Sequence, residues 1–167
     1  MNHVFTMLVA ISLFAVNSVM AQWSQTNGPE GGYTNVIFSD PISGYIFAGG
    51  NGFNKSSDNG VTWIAANSGM DGITSPVAIV RSGSNLLAGS LDKVYLSTNN
   101  GNTWTLQSSG LPQILSMCVI GNTIVAGTNA FGVYRTTNDG ASWSPASGFP
   151  PSNNIVNAVV TQGTRLL

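Results

Sequence analysis

Nucleophilic and metal-assisted catalysis commonly draws on histidine or a reactive cysteine, and this chain has one of each. His3 lies in an apolar N-terminal stretch that reads as a removable leader. Once that stretch is gone, Ser-His-Asp, Cys-His and His-metal schemes lack their imidazole. Cys118 sits in the apolar run Ile114 to Ile120 with no basic neighbour on its strand, the setting of a buried, inert thiol. A single cysteine also forbids an intrachain disulfide. Carboxylates remain, and glycoside hydrolysis needs two of them facing one bond, about 5–9.5 Å apart. Beyond the leader the acids are Glu30, Asp40, Asp58, Asp71, Asp92 and Asp139. Asp58 and Asp139 fall in glycine-containing turns, and Asp40-Pro41 marks another. Glu30, Asp71 and Asp92 keep loop freedom. No acid–base pair, cofactor or metal site emerges, and the chain is expected not to be an enzyme.

The charge balance removes further classes. Five Lys+Arg and six Asp+Glu give a net charge of −1, whereas nucleic-acid phosphates demand a basic patch. No basic amphipathic helix marks a membrane surface. The run Val4 to Val16 is too short to span a bilayer, which takes about 20 residues. Polar Asn17-Ser18 and then Val19-Met20-Ala21 follow, the order of a secretory signal with cleavage after Ala21. Residues 1–21 are therefore expected to be a signal peptide, and the mature chain to be secreted, extracellular or at the cell surface, or periplasmic, without membrane insertion. Gln22 follows the cleavage site, so lipoprotein anchoring is not indicated.

What positions the remaining side chains is a repeat. Trp23, Trp63, Trp104 and Trp143 are spaced by 40, 41 and 39 residues, the period of a solenoid, propeller or array. Before three of them stand SSDNGVTW, STNNGNTW and TTNDGASW. Their shared positions are Ser56, Asp58, Gly60, Thr62 and Trp63; Ser97, Asn99, Gly101, Thr103 and Trp104; and Thr136, Asn138, Gly140, Ser142 and Trp143. Upstream come apolar segments ending in Ala-Gly: Tyr45–Gly50, Asn85–Ser90 and Thr123–Thr128. In the second unit the strands are predicted at Val77–Arg81, Asn85–Ala88 and Lys93–Ser97, with a fourth beginning at Thr103. Asn100-Gly101 is a type I′ hairpin signal between the last two, because both central residues of that turn need φ > 0. Asn59-Gly60 and Asp139-Gly140 hold the same place. Four short strands per unit of about 40 residues make a propeller blade.

These boxes resemble the Asp-box, or BNR, repeat, Ser/Thr-x-Asp-x-Gly-x-Thr/Ser-Trp, over essentially all of residues 22–167. Asn99 and Asn138 replace the acid in two boxes. The family includes sialidases, xyloglucan-degrading glycosidases, sortilin-type receptors, photosystem II assembly factors and exported bacterial propellers. The resemblance implies an all-β propeller of four-stranded antiparallel blades, and makes the boxes structural turns on the outer part of each blade. The three box positions recur once per blade, so they are not expected to converge on a calcium ion, which needs six to eight oxygens at one point. Blades are expected at about 33–70, 72–110 and 112–149, with the start of another at 151–167. Within that last unit Ile155–Val160 reads as a strand, Thr161-Gln162-Gly163 as a turn and Thr164–Leu167 as entry to a second strand. Trp23–Pro29 matches an outermost strand. The expected architecture is thus three complete blades with partial first and last blades in an incomplete ring, the remaining blades lying outside this chain.

The family's catalytic sites find no match. Sialidases hold their substrate with three arginines and use a Tyr–Glu pair; here Arg81, Arg135 and Arg165 fall on first, third and second strands of different blades, and no Phe/Tyr-Arg-Ile-Pro motif precedes the first box. Xyloglucanase-like enzymes carry an Asp in the loop after the second strand, which here reads Gly49-Gly50-Asn51-Gly52. The expected function is an exported, non-catalytic propeller module that binds or scaffolds an unidentified glycan or protein. The alternatives are an N-terminal piece of a xyloglucanase-like or sialidase-like hydrolase with its carboxylates in other blades, and an assembly factor. Candidate ligand loops are Gly49–Phe53, Ser90–Asp92 and Thr128–Phe131, with Phe53 and Phe131 as stacking aromatics and Asp92 as the acid.

Overall fold

The computed structural model describes Gly28 and residues 32–71, 75–148, 154–163 and 165–167. The expected leader, the Trp23 strand and Glu30 lie outside the described residues. Among those residues there is no helix, only short strands. The first sheet is β1 (Val36–Ser39), β2 (Ile46–Gly50), β3 (Gly52–Ser56) and β4 (Ile64–Ala65). The second is β5 (Ala78–Ser82), β6 (Asn85–Ser90), β7 (Lys93–Ser97) and β8 (Thr105–Ser108). The third is β9 (Ile114–Ile120), β10 (Thr123–Thr128), β11 (Val133–Thr136) and β12 (Ser144–Pro145). In each, strands neighbour one another in chain order and pair antiparallel. A two-stranded ladder, β13 (Thr161–Gln162) with β14 (Arg165–Leu166), follows. These are propeller blades, three of them complete, and the described residues do not close a ring.

The Ala-Gly strands explain how one blade holds the next. A strand with one buried face alternates apolar and polar residues, but Asn85–Ser90 and Thr123–Thr128 read as nearly continuous apolar runs, the mark of burial on both faces. Successive side chains point to opposite faces, and the core divides accordingly. Leu86, Ala88 and Tyr95 join Phe47, Phe53 and Trp104 between the first and second blades. Leu87 and Val94 join Ile124 and Ala126 between the second and third. Val125 and Val133 face forward again and are covered by Val156 and Val159. The glycine of each Ala-Gly pair leaves room for the neighbour: a Cβ on Gly89 would stand 2.9 Å from Met117 Sδ, and one on Gly127 would stand 2.6 Å from the Val156 carbonyl oxygen.

Several strand predictions shift: β5 runs Ala78–Ser82 and not Val77–Arg81, and β6 reaches Ser90 and not Ala88. The fourth strand of the second blade begins at Thr105, not Thr103, and β7 pairs with it from Leu96 to Thr105. Asn100 (φ 55) and Gly101 (φ 73) do both lie at positive φ, and the Asn102 N–H donates to the Asn99 carbonyl. That turn is nested in a longer loop, because the box side chains occupy residues 98–104 and keep them off the ladder. In the last unit, pairing is confined to Thr161–Gln162 against Arg165–Leu166, extended by reciprocal bonds between Val160 and Leu167. Residues 155–159 are not laddered; Val156 instead donates to the Thr128 carbonyl of the third blade.

Strand direction gives each blade two ends. The turns between first and second strands and the box loops share one end. The turns between second and third strands share the other with the crossovers from one blade to the next.

Candidate functional site

At the box end, polar groups are consumed by structure. In the first box, Ser56 Oγ accepts from the Gly60 N–H (2.8 Å) and donates to Asp58 Oδ1 (2.7 Å). Thr62 donates to Asp58 through its N–H (2.8 Å) and its hydroxyl (2.6 Å). The second and third boxes keep this pattern: Gly101 N–H to Ser97 Oγ and Thr103 N–H to Asn99 Oδ1, then Gly140 N–H to Thr136 Oγ1 and Ser142 N–H to Asn138 Oδ1. One bond changes direction. Asn99 and Asn138 donate their amide to the hydroxyls of Thr103 (2.8 Å) and Ser142 (2.9 Å), where Asp58 accepts from Thr62. These bonds from Thr62, its side chain first and its backbone next, together with Ser56, lower the Asp58 pKa from 3.8 to about 2. The side chains of Asp58, Asn99 and Asn138 are each bonded within their own turn, so among the described residues their row assembles no shared site.

The tryptophans differ. Trp63 and Trp143 donate their indole N–H to the box carbonyls of Gly60 (3.0 Å) and Gly140 (3.1 Å). Trp104 is buried instead, donates to the Ala66 carbonyl of the preceding blade (2.9 Å) and stacks on Phe53 with centroids 5.4 Å apart. That stacking corrects Phe53 as a ligand-loop aromatic: its ring is fully buried between blades and offers nothing to a ligand.

Polar clamps tie the box end across blades. Asp40, fully buried, holds Arg81 of the second blade by a two-armed ion pair that includes a 2.6 Å bond from Nε. Burial raises the Asp40 pKa, but the bonds from Arg81 and Ser43 outweigh it and the net shift is downward. Arg81 also donates to Asn100 Oδ1 (2.9 Å). Lys55, largely buried, donates to the Asn100 carbonyl (3.4 Å) and to Asn102 Oδ1, and sits 4.8 Å from the Tyr45 ring centroid. Desolvation lowers its pKa. Asn85 donates to Asp139 of the third blade (3.0 Å). Arg81 is therefore spent on an interface, and the three arginines do not meet around a common pocket.

The box end exposes the apolar side chains of Ile42 and Val61, and the opposite end exposes others. Leu91 and Phe131 stand at the tips of their loops, 52% and 51% exposed, and Tyr33 at the entry to the first blade is 65% exposed. Leu91 has φ 52, and Ala130 beside Phe131 has φ 84; a bulky residue at positive φ is a strained outlier. The loops are braced from below. Ile114 N–H donates to the Leu91 carbonyl and Leu111 N–H to that of Asp92, while Gly132 N–H donates to the Asn154 carbonyl and Asn154 N–H to that of Ala130, on either side of Phe131. Asn129 binds Gln113 through backbone and side chain. Asp92 is exposed, as is Asp71, which lies 3.7 Å from Lys93. Cys118 is half-buried, and burial raises its pKa. Phe131 and Asp92 thus lie on one end of the molecule. Leu91 and Tyr33, which the strand pattern did not single out, join them there.

No protein-family model matches this sequence, and no curated protein sequence does. Solved structures resemble the fold. The extracellular domain of BT4673 from B. thetaiotaomicron, described as a one-component system, superposes with TM-score 0.63 at 16% identity over 77% of this chain and 19% of that one. A structure of YCF48 bound to D1 peptide gives TM-score 0.59 at 19% identity, covering 70% of this chain and 40% of that one. The GH74 xyloglucanase of Xanthomonas campestris gives 0.52 at 16%, covering 68% and 22%. This chain spans about a fifth of the BT4673 domain and of the xyloglucanase. Such likeness is one of fold, and the fold is that of β-propellers.

Proposed function

We propose that this chain is part of an exported, non-catalytic Asp-box propeller module that binds a glycan or protein partner with its loop end. The observation that carries the reading is the contrast between the two ends. At the box end Ile42 and Val61 are exposed too, but Asp40, Arg81, Lys55, Asn85 and Asp139 are paired across blades and Asp58, Asn99 and Asn138 within their turns. At the loop end exposed Leu91 and Phe131 stand on strained, braced tips with exposed polar Asp92 and Asn129 beside them. Ligand sites combine apolar contact area with a few polar groups that fix orientation, and aromatic rings serve sugars and peptides alike. The carboxylates support a non-catalytic role. Asp40, Asp58 and Asp139 are each engaged in structure, which leaves Asp71 and Asp92 among the described acids.

The test is retention of the secreted protein on arrays of oligosaccharides and of extended peptides. Binding to one class is expected, with Leu91→Ser plus Phe131→Ser lowering it at least about tenfold at an unchanged melting midpoint, as expected for interface residues that carry the binding energy. Undiminished binding by the double variant would remove the loop end as the site. Turnover of a β-glucan lost on Asp92→Asn would replace the module with a hydrolase.

A further inference from the structure

The interfaces between the three complete blades are built from matching residues but close differently. The exit Asn67-Ser68-Gly69 of the first blade matches Ser108-Ser109-Gly110 of the second. Trp104 matches Trp143, and Tyr95, paired with Ala88, matches Tyr134, paired with Ala126. At the first interface the exit is shut on the tryptophan. The Trp104 backbone N–H donates to the Ser68 carbonyl (2.8 Å), and a Cβ on Gly69 would strike the Trp104 carbonyl oxygen. Trp104 and Tyr95 are fully buried there. At the second interface nothing described lies within 4 Å of a Cβ on Gly110, and among the described residues no backbone bond joins Trp143 to the exit. Val94 stands where Phe53 stacks on Trp104, so Trp143 finds no ring and turns its indole N–H to Gly140 of its own box. Trp143 and Tyr134 are only half-buried, and with Ser108, Ser109, Leu111 and Pro112 they line a cleft of about 280 Å3. Ser108 is paired with fully buried Val94, and its Oγ is itself buried without a hydrogen-bond partner.

We infer that the cleft between the second and third blades is a binding site for one neutral pyranose ring of a glycan. Drug-sized ligands occupy clefts of about 300–1,000 Å3, so this volume takes a single ring. The apolar C–H face of the sugar would lie against the Trp143 and Tyr134 rings, and its hydroxyls would meet Ser108, Ser109 and the exit backbone. Sugar hydroxyls both donate and accept, as serine hydroxyls do. A purely aromatic or aliphatic occupant would leave the Ser108 hydroxyl unpaired, and an unpaired buried hydroxyl is costly. No charged side chain lines the cleft, so a carboxylate or an ammonium would lose its water without gaining a counter-charge. Both walls belong to complete blades and lie away from the tips of Leu91 and Phe131, so the site does not depend on the function proposed for the loop end.

The probes are the methyl pyranosides of glucose, galactose, mannose and xylose, titrated into the secreted protein and followed by tryptophan fluorescence and by the indole N–H resonances. At least one is expected to bind saturably with a Kd of about 1 mM, shifting the Trp143 indole resonance, which is assigned by its loss in Trp143→Phe. Ser108→Ala should weaken that binding about tenfold, the scale of one hydrogen bond. The same variant should melt no lower than the parent, because it removes a buried hydroxyl that has no partner. Leu91→Ser plus Phe131→Ser should bind the pyranoside as the parent does, which keeps this site distinct from the loop end. Absence of saturable binding by every pyranoside, undiminished binding by Ser108→Ala, or loss of binding in the loop-end variant would overturn the inference. So would a proline-rich peptide that shifts the Trp143 resonance where no pyranoside does.

Discussion

Replacing Gly101 by alanine separates two costs that a box glycine bears. The first is conformational. Gly101 has φ 73, and an L residue in the left-handed region costs about 1–2 kcal/mol. Loss of glycine's freedom in the unfolded chain returns about 0.4–1 kcal/mol. The second is steric. The new Cβ would stand 2.5 Å from Phe47 Cε1 and 3.0 Å from Cζ. Phe47 is fully buried and held by the rings of Phe38, Tyr45 and Phe53, so it has little room to yield, and overpacking of this kind costs about 1–3 kcal/mol. Gly121, in the turn between β9 and β10, isolates the first cost: its φ is 57 and nothing described lies within 4 Å of its Cβ position. Gly121→Ala should therefore cost about 1 kcal/mol and Gly101→Ala about 2–4 kcal/mol by the same reasoning. Urea unfolding followed by tryptophan fluorescence measures both, and Gly101→Val should be worse still because β-branching adds to the φ penalty. Equal costs for the two alanine variants would refute the claim that the box loop seats on the preceding blade.

The other outcomes follow from the same contacts. Asn99→Asp should be within about 0.5 kcal/mol of the parent near neutral pH, since Thr103 can reverse its hydroxyl and donate as Thr62 does; urea midpoints check this. Asp58→Asn should flatten the acid limb of stability: a carboxyl lowered from 3.8 to about 2 contributes fully above pH 3.8 and loses that contribution as pH falls through about 2. Midpoints between pH 5 and pH 2 report the change, with a residual slope left by Asp40, whose pKa is also lowered. Arg81→Ala should cost about 3–5 kcal/mol because it leaves a buried carboxylate without its cation. Adding Asp40→Asn should recover part of the loss, and a double variant no better than Arg81→Ala would show that the pair is not the cause.

The repeat makes the blades legible in the sequence. Ala-Gly strands, box glycines and tryptophan spacing all recur in register, so four strands per unit and positive φ at the box turn could be read directly. Where one residue departs from the repeat, the reading failed or stayed silent. Phe53 looked like a loop aromatic because it follows Asn51-Gly52. Yet it pairs with Gly49 as Val94 pairs with Gly89 and Val133 with Gly127, and that rung faces the next blade. Aligning the units at Ala-Gly would have placed it in the core. The Asp40–Arg81 pair spans 41 residues, one repeat, and no local pattern announces a bond between blades. The positive φ of Leu91 was equally hidden, since glycine or asparagine is the usual sign of such a turn.

Short crossovers, such as the one from Ser108 to Ile114, already set consecutive blades side by side, and residues that break the repeat add specificity at each interface, where the cross-strand pair Phe47–Lys55 or Leu87–Leu96 forms a rung for the next box loop. The first interface shows how. Lys55 is largely buried and its acceptors are Asn100 and Asn102. The residue matching Asn102 is Val61 in the first box and Ala141 in the third. Seating either of those boxes on the first rung would cost the buried ammonium its side-chain acceptor and leave it a turn carbonyl alone, and a buried charge short of hydrogen bonds is costly. Conversely, the second rung offers Leu96, which has nothing to give to Asn102 but packs on the same core as Trp143. The second box is thus matched to the first blade and the third box to the second, by one polar and one apolar rung.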